Sequence, residues 1–129
     1  MKRYAGLAMV LSVVCVAAAA ADFDGSRMLI CASQEARTCI AGRSCASSTP
    51  GEIGAPVFVR IDFEHQMVVG PYRTTPIRVM DKGEKQLLLQ GVELGFAWSI
   101  ALDQESGEMA ASLVDRYAGF VMFGACTPM

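Results

Sequence analysis

The chain has 129 residues, with 11 Lys+Arg against 13 Asp+Glu, one His and five Cys, for a formal net charge of −2. That length fits a single domain and is too short for a multidomain enzyme. The slightly acidic balance, with no run of Lys or Arg, argues against nucleic acid as a partner.

Residues 1–21 read as a secretory signal peptide. Lys2 and Arg3 form the charged start, Leu7 to Val16 the apolar stretch, and Ala17 to Ala21 the small-residue cleavage region. Cleavage after Ala21 or Ala20 leaves a single domain over residues 22–129, more acidic than the whole chain and of ordinary hydrophobic content. The rival is an uncleaved anchor, but five of its residues are terminal alanines that contribute little to membrane partition. A lipoprotein reading of Cys15 is weakened by Val14, which is not a small residue. No membrane span is expected after signal cleavage, and the expected location is periplasmic or secreted.

An oxidising compartment changes how the remaining cysteines are read. Cys31, Cys39, Cys45 and Cys126 permit three pairings. Cys39 and Cys45 lie close together among small, polar residues and suit a local staple. Cys31 is then left to Cys126, joining the first strand to the last. A metal site is the rival. The gaps within Cys31–Cys39–Cys45 are wider than the two to four residues usual between structural zinc ligands, so no metal is expected.

Eight short strands are expected. The first covers residues 28–32 and is followed by a cysteine-containing surface loop over residues 33–54, with at most one helical turn near Gln34 to Thr38. The second, over residues 57–63, points Val57, Val59, Ile61 and Phe63 inward and Arg60 and Asp62 outward. Shorter strands follow at 66–69, 77–80 and 85–90. Residues 92–102 then alternate without a break, placing Val92, Leu94, Phe96, Trp98, Ile100 and Leu102 on one face. The opposite face carries mainly Gly, Ala and Ser. Strands at 109–114 and 119–126 complete the set, with turn-rich pieces between. The runs Met28-Leu29-Ile30-Cys31 and Phe120-Val121-Met122-Phe123 are apolar at successive positions, which implies cover on both faces. Their pairing would close the sheet. The expected fold is therefore all-β: a small, disulfide-stapled antiparallel meander forming a closed barrel or a sandwich.

Chemistry-bearing residues are sparse. No Gly-x-Ser-x-Gly elbow is present, nor a phosphate-cradling glycine loop followed by a helix. His65, the single histidine, lies in a polar turn between Glu64 and Gln66. Carboxylate pairs occur at Asp62/Glu64 and Glu105/Glu108, the usual composition of solvated turns. Arg73 and Arg78 flank Thr74-Thr75-Pro76 and form a candidate anion pocket. Phe96 and Trp98 share a strand face, as core or as the aromatic wall of a ligand site. No catalytic residue and no cofactor is expected; the candidate ligand or partner contacts are Phe96, Trp98, Arg73 and Arg78.

The spacing Cys31-x7-Cys39-x5-Cys45, with Phe58-x-Arg60-Ile61-Asp62-Phe63, Leu89-Gln90-Gly91, Trp98-Ser99, Asp103 with Ser106-Gly107, and Phe123-Gly124-Ala125-Cys126-Thr127-Pro128, resembles a group of small exported proteobacterial proteins of unknown function. That resemblance covers most of residues 22–129 and implies a periplasmic location without an activity. In general shape the chain is also similar to lipocalin-like barrels and small periplasmic lysozyme inhibitors, though neither family's recognition motif is present. The expected function is non-enzymatic: a periplasmic binding or envelope-associated interaction domain whose partner is an envelope protein. The alternatives are a lipocalin-like carrier of a small apolar ligand and, last, a small hydrolase.

Overall fold

The computed structural model describes residues 22–129; the expected signal peptide lies outside them. Among these described residues, ten strands form one antiparallel sheet: β1 (Leu29–Ile40), β2 (Ala46–Ser48), β3 (Phe58–Asp62), β4 (Met67–Val69), β5 (Thr74–Pro76), β6 (Val79–Lys82), β7 (Gln86–Glu93), β8 (Phe96–Asp103), β9 (Glu108–Val114) and β10 (Ala118–Pro128). Their order is β5-β4-β3-β1-β10-β9-β8-β7-β6, with β2 paired to β1 alone.

The sheet curls into a half-barrel and is neither the closed barrel nor the sandwich expected. β1 and β10 do pair, Cys31 opposite Cys126, but at the centre of the sheet rather than as its closure. The two outer strands, β5 and β6, are consecutive in the chain and separated by Ile77 and Arg78. The Ile77 amide donates to Gln66 O on one side, and the Arg78 amide to Gln90 O on the other. No ladder joins β5 to β6. Of the expected strand at 77–80, Val79 and Met80 do begin β6, whereas Ile77 and Arg78 cross between the sheet's two ends.

Three other expectations are corrected. The loop expected over residues 33–54 is strand as far as Ile40, with no helical turn. β1 holds β10 along its whole length, but a bulge between Ser33 and Glu35 shifts the register. The inward set therefore runs Leu29, Cys31, Ser33 and then Ala36, and this phase change conceals the alternation. The continuous strand expected at 92–102 is a hairpin. Leu94 and Gly95 both adopt positive φ, 51° and 82°, the geometry of a tight two-residue turn, and Glu93 faces Phe96. Val92 consequently shares a face with Ala97 rather than with Trp98, and it is exposed. Finally, the apolar runs are not covered on both faces: Phe123 is 42% exposed, and Val57, expected inward, is 44% exposed.

Disulfides join Cys31 to Cys126, 95 residues apart, and Cys39 to Cys45, six apart. The first lies in the core between the two central strands. The second clips the turn between β1 and β2, where Thr38 Oγ1 and Ser48 Oγ lie 2.6 Å apart. Both are compatible with an oxidising compartment outside the cytosol. No helix among the described residues is long and apolar enough to cross a membrane.

One end of the curl is solid. Leu29, Ile61, Leu87, Leu89 and Leu102 are fully buried there. The segment before β1 lies across that end, with Phe23 against Gly107 and Phe63 beside Gly25. A Cβ added at Gly107 would stand 2.5 Å from the Phe23 ring, so a glycine is needed beneath it. The central seam is equally tight. A Cβ at Gly124 would collide with the Ala32 carbonyl oxygen on β1, a backbone atom that cannot swing aside. Gly124→Ala is expected to cost about 1–3 kcal/mol. Urea unfolding measures it, and an unchanged midpoint would show that β1 and β10 can separate locally without loss.

Candidate functional site

The other end of the curl is hollow. A cavity of about 270 Å³ opens there, walled by Val59 of β3, Val68 of β4, Trp98 and Ile100 of β8, Met109, Ala111 and Leu113 of β9, and Met122 of β10. Parity puts these side chains inside: Trp98 stands opposite Leu113, Ile100 opposite Ala111, and Ala111 opposite Met122. Ser33, only 8% exposed, adds a hydroxyl-bearing side chain to the wall. Ala55, Pro56 and the turn Gly70 to Arg73 rim the opening, and Tyr72 on that rim is 95% exposed.

Trp98 sits where it does because of Gly91. The two are cross-strand partners, and any Cβ at Gly91 would overlap the indole. With that space free, the indole lies across β7 and its Nε1 donates to Thr75 Oγ1 at 3.3 Å, while the Thr75 hydroxyl donates to Val92 O at 3.4 Å. This side-chain chain spans the gap between β5 and β7 where no ladder runs. Arg73 and Glu93 span it again at the rim, with Nη1 and Oε1 3.8 Å apart.

Of the four candidate contacts, Trp98 and Arg73 come together at this cavity. Phe96 does not line it; its ring packs against Phe120 at 6.0 Å between centroids. Arg78 is exposed outside the lining, so the candidate pair Arg73 and Arg78 is not brought together at this cavity. Thr75, Glu93, Ser33, Met109 and Met122 join the site without having been singled out from the sequence. Gly91 beside Gln90 carried a signal, a small residue two before the strand end, but its partner is set by the Leu94-Gly95 turn.

The titratable turns lie elsewhere. Asp62 accepts from the His65 amide at 3.0 Å and faces the His65 ring nitrogen at 2.8 Å. These contacts hold the Asp62 carboxyl below the usual aspartate range and raise His65 above the usual imidazole range. This pair closes the β3–β4 turn at the solid end, remote from the cavity mouth. Asp103 and Asp115 tie their turns in the same way, accepting from the amides of Glu105 and Ser106 and of Tyr117 and Ala118. Among the described residues no three His, Cys, Asp or Glu side chains group as metal ligands. Comparison with protein-family models, with curated proteins and with solved structures finds no match.

Proposed function

We propose that this protein is an exported binder of small apolar ligands, and that the hollow end of the half-barrel is its site. The observation that supports this most is the shape of the interior. The same curled sheet is packed solid at one end and left open among aliphatic, methionine and tryptophan side chains at the other. A domain with only its own core to fill would gain from filling both ends, at about 25 cal/mol per Å² of apolar surface removed from water. Apolar walls with a few polar groups at the mouth are the usual make-up of a small-molecule site, and the volume falls just below the usual range of about 300–1,000 Å³. The side-chain seam between β5 and β7 provides a way in that breaks no ladder. Residues 1–21 and the two disulfides support a periplasmic or secreted location, consistent with the resemblance to small exported proteobacterial proteins.

Trp98 is the single tryptophan and stands in the wall, so its emission reports occupancy. Titration with decanol is expected to shift that emission saturably. Ala111→Leu, which fills the cavity from β9, is expected to raise stability by about 0.5–2 kcal/mol and to abolish the shift. A response without saturation, or an undiminished response in Ala111→Leu, would overturn the proposal.

The rival reading, docking of an envelope protein, draws on the convex face, where Val121 and Phe123 of β10 and Val114 of β9 are exposed. Pull-down from envelope extract that is lost in Phe123→Ser but kept in Ala111→Leu would favour it.

A further inference from the structure

We infer that the ligand is a single-tailed amphiphile with a zwitterionic head, held at the mouth by Arg73 and Glu93. The inference rests on the apolar-ligand reading above and adds the chemistry of the head group. At ~30 Å³ for each water-sized group, the hollow takes a tail of about nine methylenes. Such a tail inserted from the mouth leaves its head beside the turn Gly70 to Arg73 and the end of β7. Two opposite charges stand there, Arg73 Nη1 and Glu93 Oε1, 3.8 Å apart. At that separation the two charges attract as an ion pair, but no hydrogen bond joins them. Arg73 keeps its N–H donors for an anion, and Glu93 keeps acceptor sites for a cation.

A head of one sign meets attraction from one member of the pair and repulsion from the other. A head carrying both signs a few ångströms apart meets two attractions. Tyr72, almost fully exposed on the same rim, offers an aromatic face to the cationic part of the head.

The test compares three probes with the same decyl tail, all below micelle formation: N-decyl-N,N-dimethylglycine, undecanoate and decylammonium. Each is titrated against the disulfide-intact protein at neutral pH and followed by Trp98 emission. The zwitterion is expected to bind at least ~10-fold more tightly than either single-sign probe. Glu93→Gln is expected to turn the preference towards undecanoate, and Arg73→Gln towards decylammonium. Both substitutions lie at the partly exposed rim, and circular dichroism checks that each variant remains folded. Equal affinities for the three probes in the unmodified protein would overturn the head-group inference and leave the cavity reading standing. No binding of any decyl probe would overturn both.

Discussion

Trp98→Ala is expected to lower the unfolding free energy by about 3–5 kcal/mol, the usual cost of truncating a buried tryptophan. The indole fills the space above Gly91, walls the cavity and ties β8 to β5 through Thr75. Two controls separate these roles. Trp98→Phe keeps most of the apolar wall but loses the donor, and it is expected to cost about 1 kcal/mol for the hydrogen bond in addition to lost volume. Thr75→Val removes the acceptor while leaving the indole in place. It is expected to destabilise by about 1–3 kcal/mol because a buried N–H loses its partner. Urea midpoints at constant slope give all three values. If Trp98→Ala and Trp98→Phe cost the same, the indole is not packing the wall.

The second large effect concerns the cross-link between the central strands. Replacing Cys31 and Cys126 by alanine together is expected to cost about 4–5 kcal/mol in the chain-entropy model, because the bond closes a 95-residue loop in the unfolded chain. For a domain of this size that corresponds to a fall in melting temperature on the order of 20 °C. Removing Cys39 and Cys45 in the same way is expected to cost about 2 kcal/mol, since that loop spans six residues. Calorimetry of both variants checks the order. Equal shifts would mean that native packing around Cys31, rather than the loop, carries the effect.

Much of this arrangement is legible in the residues. The period-two stretches around Ile61 and Trp98 announce an all-β sheet, and the expectation of export makes disulfides the natural reading of Cys31, Cys39, Cys45 and Cys126. Trp98 and Arg73 stand out for their chemistry and do meet at the cavity. Glu93 does not stand out, and Gly91 does so only as a small residue near a strand end, for a geometric reason. The alternation through residues 92–102 is unbroken on paper, yet Leu94-Gly95 turns the chain and reverses which residues face Trp98. The extension of β1 to Ile40 is hidden similarly, because the bulge after Ser33 changes parity in the middle of the strand. Closure is the third case. Whether the curl seals depends on which neighbours Ile77 and Arg78 bond to, a long-range choice that no local pattern encodes.

The contrast between a solid end and a hollow end makes the proposed site a ruler. Leu29, Ile61, Leu87, Leu89 and Leu102 form a floor with no room to yield, and Phe23 backs it from outside. A tail that enters past Arg73 meets a fixed stop, so tail length and head position are coupled. Each added methylene would strengthen binding by about 0.8 kcal/mol only until the tail touches the floor. Beyond that length the extra carbons must emerge into water and carry the head away from Arg73 and Glu93. Affinity would then stop rising with hydrophobicity, and the protein would select one chain length rather than simply the greasiest molecule available.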